Sequence, residues 1–146
     1  GESDGASDHF NRAHADFVAI GAAADAGEIE MRIAECHLLA GNAITALELA
    51  GETLRHDRAS GAVVDHAPLL RIRAQALLAQ DDVEGARQAI TGSLEEARTR
   101  DVSFEIARSL IVLAAVEDRL GQTEAARDQR AEASERFERL GVINPV

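Results

Sequence analysis

Residues 69 to 90 read Leu69-Leu-Arg-Ile-Arg-Ala-Gln-Ala-Leu-Leu-Ala-Gln-Asp-Asp-Val-Glu-Gly-Ala-Arg-Gln-Ala-Ile90, two apolar helical stretches separated by Asp81-Asp82. The same break recurs 40 residues to either side, as Gly41-Asn42 and Gly121-Gln122. Five residues beyond each break stands an alanine, Ala46, Ala86 or Ala126, and seven before it another, Ala34, Ala74 or Ala114. Seven further on come Thr53, Ser93 and Ala133, again small, with Leu54 and Leu94 beside the first two. A fixed period between 20 and 50 residues is the signature of a repeat architecture. Small residues returning at one phase mark places where helices cross closely.

A second series of breaks, Gly21, Gly61, Asp101 and Gly141, keeps the 40-residue step and ends the second helix of every pair, as C-terminal glycines do. The sequence therefore predicts about seven helices, near 4–20, 25–40, 42–58, 65–80, 82–99, 102–120 and 122–140. The first is a half repeat whose apolar frame runs through Ala6 and Ala13. The repeats proper cover about 25–58, 65–99 and 102–140, all within one domain. Connections of one or two residues inside each pair force antiparallel neighbours, while the looser stretch from Arg58 to Val64 joins successive pairs. Stacked pairs make a superhelix with a concave face.

Composition agrees with an all-α chain. Of the 146 residues, 46% are hydrophobic, enough for a continuous core, yet there are four Phe and no Trp or Tyr. Such a core consists of small and branched side chains. Only two prolines interrupt the helix formers. A formal net charge of -11 argues against direct binding of nucleic acid or an anionic membrane, which need clustered cations. Every basic side chain is Arg, a pattern that fits high-GC coding bias rather than a function. One cysteine rules out an internal disulfide, and no run approaches the roughly 18 apolar residues of a membrane span. A cytoplasmic protein is the expectation.

At these positions the chain resembles the tetratricopeptide repeat family, whose motif sets small residues at three fixed positions around a Gly-Asp-like turn. The matching residues are Ala34, Gly41-Asn42, Ala46 and Thr53, then Ala74, Asp81-Asp82, Ala86 and Ser93, then Ala114, Gly121-Gln122, Ala126 and Ala133. The resemblance covers about 24 to 141. It departs from the family in its 40-residue period against the common 34, in lacking the aromatic positions, and in having Arg58, Arg98 and Glu138 where a proline usually follows helix B. Repeats of about 40 residues rich in Ala, Leu and Arg and ending in a phrase like Phe137-Glu-Arg-Leu-Gly141 are similar to the C-terminal arrays of MalT-like or LuxR-type bacterial regulators and of some class III cyclases. The resemblance implies a right-handed α-solenoid that binds a protein or peptide, or another domain of a larger signalling or transcriptional regulator.

Carried over by motif position, the groove face of the A helices holds Glu28, Met31, Glu35 and Leu38, then Pro68, Arg71, Gln75 and Leu78, then Arg108, Ile111, Ala115 and Asp118. Met31, Glu35, Leu38, Arg71, Gln75, Leu78, Arg108 and Ile111 are the expected partner-binding residues, and charge reversal at Arg71 and Arg108 is expected to abolish capture while sparing the fold.

The residues give little support to catalysis or to a cofactor. The five histidines, His9, His14, His37, His56 and His66, include no i, i+4 pair of the kind zinc takes on one helix. Cys36 has no evident base, and Cys36 and His37 point about 100° apart on a helix. Asp81-Asp82, Glu95-Glu96 and Glu117-Asp118 sit at turns or on helix surfaces, where Asp82 and Asp101 are expected to cap or approach helix N-termini. Gly21 to Gly27 lacks the Lys-Ser/Thr ending of a phosphate loop.

The ends differ. The last helix is polar at Arg127-Asp-Gln-Arg130 where its predecessors carry Leu47, Leu49, Ala50, Ala89 and Ile90, which reads as a C-terminal cap held by Phe137 and Leu140. The first helix carries an apolar stripe of Ala6, Phe10, Ala13 and Phe17 with no preceding A helix, so self-association through Phe10 and Phe17 and an origin in a longer protein are expected. A free-standing adaptor or oligomerisation protein and a small-ligand sensor using the groove are the rival readings.

Overall fold

The computed structural model describes residues 8–9, 11–12, 14–15, 23–60 and 65–142, and among these residues there is no strand. Six helices follow one another: α1 (Ala23–Leu39), α2 (Ala43–Ser60), α3 (Ala67–Ala79), α4 (Val83–Thr99), α5 (Ser103–Arg119) and α6 (Thr123–Arg139). Their ends lie within two or so residues of those expected from the breaks. The count is six rather than about seven, because most of the segment 4–20 lies outside the described residues; those described between 8 and 15 are helical. The stripe through Phe10 and Phe17 falls outside them too.

Five of the seven expected breaks end helices by one repeated device, and the other two, Gly21 and Gly61, lie outside the described residues. Gly41, Asp81, Asp101, Gly121 and Gly141 all have positive φ, between 55 and 82°. After α1 the N–H of Asn42 reaches back to the carbonyl of His37 at 2.8 Å and that of Gly41 to Leu38 at 3.0 Å. The same two bonds recur at the ends of α3, α4, α5 and α6. This is the Schellman closure, which satisfies the last carbonyls and reverses the chain at a left-handed residue. Aspartate stands at two of these positions because its short polar side chain tolerates that conformation better than most. Asp101 terminates α4 and stands directly before the N-cap of α5, Val102, which has no side-chain bond, so it approaches that helix start without capping it. Asp82 does cap α4, accepting from the N–H of Gly85 at 2.9 Å. Helix α3 starts where Asp65 accepts from the N–H of Ala67 at 3.1 Å, with Pro68 in a first turn that has no use for its missing donor.

The recurring small residues are the crossings. Ala34, Ala74, Ala114, Ala46, Ala86, Ala126 and Ala133 are fully buried, as are Ser93 and, nearly, Thr53. Ser93 turns its hydroxyl to the carbonyl of Ala67 and to Ser109 Oγ, both at 2.8 Å, so a hydroxyl can occupy a dry crossing between α3, α4 and α5. Around these points pack Leu69, Ile72, Ile90, Leu110 and Val116, each contributing about 1.5–3 kcal/mol on burial.

Each helix packs on the next in sequence, and α1 also packs on α3 and α3 on α5. By contrast α2 does not reach α4, nor α4 α6. The odd helices form a continuous row and the even ones are splayed apart. Helix α6 buries only Ala126, Ala133 and Phe137, with the Phe137 ring edge-on to Phe104 at 5.9 Å between centroids. Leu140 remains exposed and does not hold this helix down.

Candidate functional site

The row α1, α3, α5 carries both halves of the candidate site. The polar half centres on four charges, with Arg32 at its edge 3.5 Å from Glu35. Arg71, in the middle of α3, is only 3% exposed in its side chain, and its Nε donates to Glu105 Oε1 on α5 at 2.5 Å. One of its terminal nitrogens reaches Glu35 on α1 at 3.3 Å and the other donates to Gln75 at 3.0 Å. Arg108 on α5 donates to the same Glu35 oxygen at 2.5 Å and lies 5.8 Å from the centre of the Phe104 ring. Two cations and two carboxylates therefore neutralise one another across three helices. A buried guanidinium tolerates this site because its planar fork spreads its donors over several acceptors.

The two carboxylates respond in opposite directions. Burial pushes Glu105 above the usual carboxylate range, the attraction of Arg71 offsetting only part of that cost. Burial acts on Glu35 in the same sense, but the hydrogen bond and charge of Arg108, joined by Arg71, outweigh it and hold Glu35 below its ordinary value. Glu35 has two arginines at bonding distance, and Glu105 has one.

The apolar half lies toward the C-terminal ends of the same helices. Leu38, Gln75, Leu78 and Ile111, with Ala115 and Arg119, line an open depression of about 560 Å³, and Leu39 at its edge is 80% exposed. Arg119 is ion-paired with Asp81. A depression of this size with an apolar floor and a few polar groups has the dimensions of a ligand or side-chain pocket.

The eight residues expected to bind a partner thus separate into three groups. Leu38, Gln75, Leu78 and Ile111 share the depression. Glu35, Arg71 and Arg108 belong to the internal charge network. Met31 is 8% exposed and packs in the core with Ala34, Leu54, Leu69 and Ile72. Arg71 offers no charge to a partner, so reversing it would leave a buried negative charge rather than spare the fold. Glu105, Leu39 and Arg119 were missed. Glu105 was legible only as a polar residue in the first turn of a helix, with nothing to mark it as buried.

Other chemistry is sparse among the described residues. Cys36 is half-buried, and its thiol is pushed up by burial and by the charge of Glu35, the reverse of an activated nucleophile. His14 lies 2.6 Å from Glu30, which also accepts from Thr53 at 2.9 Å. His66 stands 3.7 Å from the buried Asp57, too far for a hydrogen bond. No group of three or more His, Cys, Asp or Glu is arranged to hold a metal, and no helix is long and apolar enough to cross a membrane, among the described residues.

No protein-family model and no curated protein matches the chain. It is similar in structure to BtubC (BKLC) from P. vanneervenii, with a TM-score of 0.69 and 18% sequence identity over 97% of this chain. At that identity the likeness bears on the helical fold alone. The chain spans 56% of the length of BtubC.

Proposed function

We propose that this chain is a tetratricopeptide-like binding module, a right-handed α-solenoid that presents its row of odd helices to a protein or peptide partner. The observation that carries the reading is the apolar depression formed by Leu38, Leu78 and Ile111 from three successive odd helices. Packing within that row, without packing between α2 and α4 or α4 and α6, supports a stack that curves with the odd helices inside. The charge network above the depression is internally neutral, so it stiffens the row and leaves recognition to the apolar side chains and Gln75. The partner is a peptide segment, a separate protein or another domain of the parent, and the module acts without catalysis or a cofactor of its own. The Ala-, Leu- and Arg-rich repeat of 40 residues and its Phe137-Glu-Arg-Leu-Gly141 ending support a place in a cytoplasmic bacterial signalling or transcriptional regulator.

The test is site-specific photo-crosslinking in the organism that encodes the chain. A photoreactive residue at position 78 should capture a discrete partner, and Ile111→Asp should abolish that adduct in a protein that still melts cooperatively. The same residue at position 95, exposed on α4, should not capture it. Capture from position 95 with none from position 78 would move the working surface off the odd helices.

A further inference from the structure

The opposite side of the stack carries a second groove with different chemistry. Because α2 and α4 both pack on α3 but not on each other, a trough of about 520 Å³ runs between them. Its floor is apolar, made by Leu47 and Leu54 of α2 and Leu70 and Leu77 of α3. Above the floor stand Arg55 and Arg58, one turn apart on α2, and Arg73 on α3, all three exposed.

Nine of the fifteen arginines are ion-paired to acids; among the described residues from 23 onward these three, with Arg98 and Arg127, are not, and only these three cluster on one groove. With 26 acidic against 15 basic residues, carboxylates are in excess, and arginines elsewhere, such as Arg32, Arg87, Arg130 and Arg139, are ion-paired to neighbouring acids. Among the described residues Arg55, Arg58 and Arg73 have no carboxylate within ion-pair distance. Arg55 spends only its Nε, donated to the carbonyl of Gly51 at 3.2 Å, which leaves its terminal nitrogens free for another acceptor. Two acids also line the trough. One of them, Asp82, is engaged in capping α4, and the other, Glu48, lies toward the start of α2.

A glycine keeps the trough open. Gly51 sits in the interior of α2, where glycine weakens a helix. A Cβ there would stand 3.7 Å from the Arg73 guanidinium, an ordinary contact, so alanine would be accommodated, while a longer side chain such as leucine would project beside Arg73 into the trough.

We propose that the trough between α2 and α4 is a docking site for an acidic peptide segment, its carboxylates held by Arg55, Arg58 and Arg73 and its apolar side chains seated on the leucine floor. Guanidinium groups bind carboxylates through paired, charge-assisted hydrogen bonds. The leucines offer nothing to a phosphodiester backbone, and a net charge of -11 repels an extended polyanion, whereas a short acidic peptide with leucines satisfies both rim and floor. This site is separate from the odd-helix depression and stands or falls without it.

Fluorescence polarisation with two labelled probes tests the proposal: the peptide Glu-Glu-Leu-Leu-Glu-Glu-Leu and its counterpart with every Glu replaced by Gln. The acidic probe should bind at least about tenfold more tightly and weaken as salt is raised. Arg58→Gln with Arg73→Gln should cut its affinity about tenfold or more. Gly51→Leu should do the same with all three charges intact, which separates loss of the trough from loss of charge. Circular dichroism melts identify the folded variants, and Leu78→Asp on the other face should leave binding unchanged. Equal affinity for the two probes, no binding at millimolar peptide, or full binding by folded Gly51→Leu would overturn the proposal.

Discussion

Replacing Arg71 by Met isolates the energetics of the buried charge network. The substitution keeps an unbranched, flexible side chain of similar reach but leaves the buried Glu105 without a hydrogen-bonded cation, with only the charges of Arg108 and Asp65 acting on it in opposite senses. Glu35 is protected from the change, since Arg108 remains 2.5 Å from it and Arg32 3.5 Å away. The loss therefore falls on Glu105, whose side chain is 6% exposed and whose hydrogen-bonded cation is Arg71. Breaking a buried pair by removing one partner costs about 3–5 kcal/mol. For a domain of this size that lowers the melting midpoint by on the order of 10 °C. The penalty has an upper limit, because burial already raises the pKa of Glu105 and a proton relieves the unpaired charge. Arg71→Met should accordingly cost less at pH 5 than at pH 7. Adding Glu105→Leu should recover most of the stability, since two packed apolar side chains can replace a buried ion pair at little or no cost. Urea denaturation of the wild type, both single variants and the double variant at the two pH values forms the cycle. A cost below about 1 kcal/mol for Arg71→Met, or a double variant as unstable as the sum of the singles, would refute the argument that this pair is buried and mutually dependent.

Two further outcomes follow from the same packing. Ala114 is fully buried, so Ala114→Leu should overpack the crossing and cost about 1–3 kcal/mol in thermal or chemical melts; an unchanged midpoint would refute the assigned repeat register. The pH dependence has two parts. Burial raises Glu105 and Glu117, so the folded chain binds their protons more tightly than the unfolded one, and stability rises as pH falls through their folded values toward the ordinary Glu value near ~4.3. Glu35 is lowered, so the stability it contributes is present above the ordinary Glu value and is lost as pH falls through its own folded value. Urea midpoints should thus climb modestly from neutral to mildly acidic pH and then drop, and Glu105→Gln should flatten the climb; superimposable profiles would contradict the direction assigned to Glu105.

The candidate site was legible in part, and the division follows the physics. Leu38, Gln75, Leu78 and Ile111 come together in one depression because the odd helices form a row and each of these positions returns on the same helix face with the 40-residue step. Arg71 stands at the same phase as Met31 and Ile111, a position that predicts a groove cation, yet it is buried. Its burial depends on Glu35, 36 residues earlier, and Glu105, 34 residues later, and no local pattern announces such a pairing. The trough was missed for a similar reason. Gly51 and its neighbouring arginines look like an ordinary exposed helix face until α2 and α4 are seen to stand apart over α3.

The six described helices, their limits and their crossings follow from the chain's local pattern alone. Those properties are encoded locally: glycine or aspartate where φ must be positive, alanine where two backbones approach, and a 40-residue step that repeats the arrangement. Which charged residues stay at the surface and which are buried, by contrast, is settled by how the helices pack on one another. The fate of a charge depends on the dielectric around it and on the opposite charges brought to it from other helices, and both come into being only when the helices pack.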